Sequence, residues 1–264
     1  MHPDVSAIAL VLSEAGCIAA DEEAEELVDA AAGDPIALDM LLDRRKSGEP
    51  LAWLTGWVTF CAMRLRVDRG VYVPRWQTEP LAMRAAELLA PRGTAVDLCT
   101  GAGPIAAVLI RAEPSARVIA TELDPRAAQC ARRNGVEVVE GFLDEPLPPE
   151  LEGRVDVLTA VVPYVPTESI HLLPRDVQTF EPRVALDGGP SGTKFLLEVT
   201  RRSPIWLRPG GWLLLEMGGD QAETVSQTLA EVGFGDAEVI ADDDGDIRGL
   251  CAQLGPQRRD PPNG

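Results

Sequence analysis

Histidine is nearly absent from this 264-residue chain, with His2 and His171 the only two. That scarcity removes most histidine-bearing metal sites and any hydrolytic triad built on a central imidazole, save one through His171. His171 stands between Ile170 and Leu172 in an expected loop, where packing is its simplest role. Lysine is nearly missing too, two residues against twenty-two arginines. The five cysteines, Cys17, Cys61, Cys99, Cys130 and Cys251, form no CxxC pair. Cys99 and Cys251 read as small buried hydrophobes in strands, and a reduced, cytoplasmic protein is the plain expectation. No apolar run approaches the ~20 residues that span a bilayer, and the acidic start is unlike a signal peptide. No membrane partner is expected. Acid, by contrast, abounds: 42 Asp and Glu give a formal net charge of −18. Such charge repels a phosphate backbone, which argues against a nucleic-acid partner and leans toward a cationic substrate.

The strongest local signal is Val96-Asp97-Leu98-Cys99-Thr100-Gly101-Ala102-Gly103-Pro104-Ile105. It reads as a buried strand, a glycine-bearing turn and a helix start. A second strand, Arg117 to Thr121, ends in the acid Glu122. Together these form the nucleoside-binding half of a doubly wound α/β domain. The glycines permit positive φ and close ligand approach, and the carboxylate can accept both ribose hydroxyls. Gly103 is followed by Pro104, Ile105 and Ala106, so the third glycine of a dinucleotide site is missing. No lysine follows, which excludes a phosphate-gripping loop. The pattern resembles motif I of the class I S-adenosylmethionine-dependent methyltransferases. That resemblance implies S-adenosyl-L-methionine as cofactor. Asp97, Thr100, Gly101 and Gly103 would then stand at its amino-acid end, with Glu122 and Leu123 at its ribose.

Helical periodicity fills residues 3–46 as three short helices, the third started by Asp34-Pro35. A break at Gly48-Glu49-Pro50 precedes a short hairpin, Trp57–Phe60 with Leu65–Val67. From about residue 77, helices at 78–90, 104–112, 125–133, 192–206 and 219–231 alternate with strands. The strands are expected at 94–98, 117–122, 136–139, 155–160, 211–217, 236–240 and 248–252. The expected fold is α/β: a seven-stranded, mostly parallel, doubly wound Rossmann-like sheet with a small N-terminal helical bundle and a connecting hairpin. The expected partition is a bundle at 1–47, a linker and hairpin at 48–76, a methyltransferase domain at 77–254 and a disordered tail at 255–264.

The segment Gly48-Glu49-Pro50-Leu51-Ala52-Trp53-Leu54-Thr55-Gly56, running on to Pro74-Arg75-Trp76-Gln77-Thr78-Glu79, resembles the HemK/PrmC family of protein-(glutamine-N5) methyltransferases, which act on peptide-chain release factors. The family's Pro-Arg-x-x-Thr-Glu motif is matched by Pro74, Arg75, Thr78 and Glu79. Phe180 to Gly189 and Leu207 to Glu216 are also similar to family segments, and the likeness runs from about residue 48 to 221. It implies a substrate-binding role for the N-terminal bundle.

The family's Asn-Pro-Pro-Tyr site is replaced here by Val161-Val162-Pro163-Tyr164. The resemblance implies that the asparagine amide and the next backbone carbonyl aim the target NH₂. Val161 has no side-chain acceptor, and losing one aimed polar group typically costs about 2–4 kcal/mol in a buried site. Val161, Pro163, Tyr164 and Glu79 are the expected catalytic residues, with Val161 also against the cofactor. Where the family places an acid for the adenine, Gly141-Phe142 stands instead, so either Phe142 or Asp144 is expected there. For the acceptor, Arg75, Thr78, Tyr164, Glu168, Glu181 and Glu216 are candidates. A complete cofactor set favours an active N-methyltransferase over a non-catalytic relative. The missing asparagine and the acidic charge point first to a small-molecule acceptor, a free amino acid or guanidino compound such as arginine in specialised metabolism. An amide-bearing acceptor, a release-factor glutamine, is the alternative. The sequence leaves open whether the chain acts alone or as a homodimer.

Overall fold

The computed structural model describes residues 4–256; most of the expected tail, from 257 on, lies outside the described residues. Three helices open the chain: α1 (Val5–Glu14), α2 (Ala20–Ala31) and α3 (Pro35–Lys46). Asp4 Oδ1 accepts the N–H groups of Ser6 and Ala7, and Asp34 Oδ1 those of Ile36 and Ala37. Each cap satisfies two of the donors that a helix start leaves unpaired. Leu12, Ala24 and Leu27 are wholly buried in a core separate from that of the sheet.

A one-turn helix, α4 (Leu51–Thr55), follows where the sequence pointed only to a break. It is too short to show a period, and tertiary contact holds it: Trp53 Nε1 donates to the Val71 carbonyl at 2.9 Å. The hairpin β1 (Trp57–Phe60) and β2 (Met63–Arg66) then forms, close to expectation.

The large unit comprises α5 (Glu79–Leu88), β3 (Thr94–Leu98), α6 (Pro104–Ala112), β4 (Arg117–Glu122), α7 (Pro125–Arg133), β5 (Glu137–Glu140), β6 (Val155–Ala160), α8 (Arg175–Phe180), α9 (Lys194–Trp206), β7 (Leu207–Glu216), α10 (Ala222–Glu231), β8 (Glu238–Ala241) and β9 (Ile247–Gln253). Its seven strands lie in the order β5-β4-β3-β6-β7-β9-β8. The strands from β3 to β7 run parallel, and β9 runs against both its neighbours. Helices α5, α6 and α7 cover one face, and α9 and α10 the other. Both faces are therefore dry, which is why the central strands read as continuous apolar runs.

Three local expectations need correction. Cys99 lies just beyond β3 at φ +56 rather than in the strand, because the turn begins there. Strand β7 starts at Leu207, four residues earlier than expected, by pairing Leu207 with Val155 across an irregularity in the ladder. The last crossover opens with a 3₁₀ turn at Gly219–Gln221, and α10 itself starts at Ala222. Helix α9, by contrast, does run through Pro204. Proline cannot donate to the Thr200 carbonyl, and the Ser203 hydroxyl donates to it instead at 3.0 Å.

Candidate active site

The sheet's winding reverses between β3 and β6, and the carboxyl ends of strands at such a point leave a crevice. A cavity of about 880 Å³ opens there. Cys99 and Gly101 enter it from β3, Glu122 from β4, Val161 from β6 and Glu216 from β7.

At the β3–β4 end, Glu122 takes the Gly101 N–H on Oε2 at 2.8 Å and the Asp124 N–H on Oε1 at 2.9 Å. A carboxylate has about four acceptor positions, so two remain for a diol. Burial raises the proton affinity of Glu122, and those backbone donors oppose the shift. Gly101 sits at φ +58, and a Cβ there would meet no atom within 4 Å. The turn thus leaves clear the space that a ligand needs to lie against the backbone. Phe142 lines the same end and packs edge-on against Phe195, centroids 6.0 Å apart. Leu123 borders it as an exposed apolar side chain. An acid for hydroxyls, bare backbone and an aromatic edge fit S-adenosyl-L-methionine, which Gly101, Glu122, Leu123 and Phe142 would hold.

Other expected cofactor contacts have different roles. Asp97 is buried beneath the turn, where it accepts the hydroxyls of Thr100 at 2.6 Å and Thr159 at 2.7 Å. Asp97 and Thr100 line no part of the cavity; they brace the turn from behind. Burial pushes the Asp97 carboxyl up to about 6. Gly103 is required by packing: a Cβ would stand 2.9 Å from Val136 Cγ2 and 3.1 Å from Ala131 Cβ. Asp144 is buried and lines no part of the cavity; Trp206 Nε1 donates to its Oδ2 and Arg202 Nε to its Oδ1 at 2.7 Å each, so it braces the wall from behind.

The opposite end of the cavity is built by Val161, Val162, Pro163 and Tyr164 with Glu216. The Tyr164 hydroxyl donates to Glu216 Oε1 at 2.9 Å. Glu216 is 4% exposed, and desolvation raises its carboxyl against the opposing effects of Thr78, Tyr164, Arg248 and Arg75. Thr78 is buried beside that carboxylate, behind the cavity wall. Arg75 lines the cavity and is ion-paired to Glu181, which borders a second, smaller cavity with Glu168. Glu181 and Glu168 therefore do not reach the main site. Neither does Glu79, the expected catalytic acid. Its Oε1 accepts the Cys61 N–H at 2.9 Å, securing a hairpin turn in which Cys61 and Ala62 both have positive φ.

Tyr72, Gln77, Phe195 and Arg248 line the cavity without having been expected. Tyr72 and Gln77 lie between quoted motif positions, so their proximity to them was the available signal. Arg248 had none: it arrives because β9 runs backwards, setting Gly249 opposite Glu216.

No protein-family model matches the chain. It is 35% identical over 221 residues to a release factor glutamine methyltransferase of Geobacter sulfurreducens, covering 81% of this chain and 77% of that one. It is 38% identical over 230 residues to the enzyme of the same name from Moorella thermoacetica, covering 83% and 78%. Among solved structures, a methyltransferase from Pyrococcus furiosus superposes with a TM-score of 0.54 at 19% identity, over 74% of this chain and 91% of that one. That likeness speaks for the fold alone.

Proposed function

This chain belongs to the release factor glutamine methyltransferase family, and from that premise we propose that its acceptor is a glutamine side-chain amide in a peptide-chain release factor. The chain is an S-adenosyl-L-methionine-dependent N-methyltransferase; the acceptor is the proposed part. One observation carries the reading: Glu122 and Gly101 at one end and the 161–164 segment at the other line one cavity. When bound, the cofactor supplies an electrophilic methyl group. The residues of the chain must then hold the acceptor nitrogen about 3 Å from that carbon and keep water out. Pro163 and Tyr164 are suited to confine a flat amide group. Tyr164 is itself fixed by Glu216, and its carbonyl accepts from Gln221 Nε2 at 2.7 Å. We assign residues 1–47 to docking of the protein substrate, 48–76 to the connection and 77–254 to methyl transfer; the separate bundle core supports that division.

The free guanidino acceptor first expected from Val161 becomes the second reading. What favours it is the buried Glu216 carboxylate in the cavity wall, which would suit a cation. Mass spectrometry after incubation with a release factor, or with arginine, separates the two. A methyl group on a release-factor glutamine is the expected result. Methylation of arginine with an unmodified release factor would reverse the order.

A further inference from the structure

Two residues that line this cavity, Gln77 and Glu216, each carry a buried side-chain oxygen, Oε1 and Oε2 respectively, without a hydrogen-bond partner among the described residues. Buried acceptors are rarely left unpaired, and each exception asks for an account. Thr78, the residue after Gln77, is buried beside the Glu216 carboxylate and lowers its proton affinity. Tyr164 occupies Oε1 and so fixes the carboxylate group. Glu216 is also the lateral neighbour of the substituted position. Ala160 on β6 is paired with Leu215 on β7, so the same register carried one residue further sets Val161 beside Glu216. Adjacent strands are about 4.8 Å apart. Glu216 is therefore a candidate, one strand spacing away, for the acceptor missing from the Val161 side chain.

We infer that Gln77 Oε1 and Glu216 Oε2 receive the two N–H bonds of the acceptor's NH₂ group, supplying from the 74–79 segment and from β7 the aim that Val161 cannot give. This rests on the glutamine-amide reading. An amide NH₂ has two in-plane donors and needs two in-plane acceptors. Pairing both fixes the amide plane and leaves its face, where the nitrogen electrons are available, open to the methyl donor. The same pair discriminates: a glutamate side chain offers no N–H and brings a like charge to Glu216.

The test is calorimetric binding of a glutamine-bearing release-factor peptide and of its glutamate counterpart, with kcat and KM measured alongside. Wild-type protein binds the glutamine peptide and discriminates against the glutamate one. Gln77→Leu and Glu216→Gln each weaken glutamine-peptide binding roughly tenfold, the effect of an acceptor lost in a buried site. Cofactor affinity and melting temperature stay unchanged, which shows that the variants fold. Adding Val161→Asn to Gln77→Leu restores most of the loss, since an amide acceptor returns next to Glu216. If wild-type protein methylates the peptide while both single variants bind it normally, the pair is not the acceptor set and the glutamine reading survives. If wild-type protein neither binds nor methylates the peptide, the glutamine reading fails and this inference with it.

Discussion

Gly101 and Gly103 are two residues apart in one turn, yet they are glycine for different reasons. Gly101 has positive φ and open space where a Cβ would lie; Gly103 has positive φ and a neighbour 2.9 Å away. Gly101→Ala should therefore cost only about 1 kcal/mol of stability, the left-handed penalty, but weaken cofactor binding strongly. Gly103→Ala should cost more stability, about 1–3 kcal/mol from overpacking, because Val136 and Ala131 must move. Denaturant midpoints and calorimetry on the two variants check the contrast; equal effects in both assays would defeat it. Glu122→Ala should weaken the cofactor by about 1–3 kcal/mol through lost ribose hydrogen bonds, and unchanged affinity would remove that assignment. Asp97 makes a prediction about pH. Burial holds its folded carboxyl at about 6, against an ordinary value of 3.8. The folded state thus binds the proton more tightly, and stability contributed below the unfolded value is lost as pH rises through 6. Between pH 5 and 7 that loss is about 1 kcal/mol from this group. Asp97→Asn should flatten this part of the stability–pH curve; an unaltered slope would show that Asp97 titrates elsewhere.

Among the elements, helix α9 shows how a rule can be broken with compensation. Pro204 leaves the Thr200 carbonyl without its usual donor, and Ser203 fills the gap from the adjacent position. Both Thr200 and Ser203 are buried, so Ser203→Ala should cost about 1–2 kcal/mol, read as a fall in the denaturant midpoint. A change within error would mean that another group serves that carbonyl. The elements also explain what was legible in the sequence. Helix α6, β4, α7 and β6 fell within the expected bounds, because caps, prolines and dry strands are local signals. Helix α4 and the early start of β7 were not legible, since Trp53 and Leu207 are held by partners far along the chain. For the site, the same division applies. The turn and Glu122 announce themselves by spacing, whereas the burial of Asp144 against Trp206 and Arg202, away from the cavity, depends on residues some sixty positions along the chain. Arg248 depends on strand direction, which no local pattern encodes.

Taken whole, the molecule carries an acidic charge, and its N-terminal bundle packs a core of its own, apart from those on the sheet. Ile36 and Met40, one helical turn apart on α3, are exposed. If the bundle docks the protein substrate, Ile36→Glu with Met40→Glu should raise KM for an intact release factor while leaving KM for a short glutamine peptide unchanged. Equal effects on both substrates would assign the bundle another role. The sheet order has a consequence for synthesis. Strand β9 is inserted between β7 and β8 and is the last of the seven to be made. A nascent chain that has reached only β8 exposes the edge of β7, with dry Leu213, Leu214 and Leu215 behind it, and open apolar edges invite misassociation. The large unit cannot close while any residue up to Gln253 is still inside the ribosome. Its vulnerable interval is therefore the synthesis of β9, and premature stops inside that strand should yield aggregates rather than weakened enzymes.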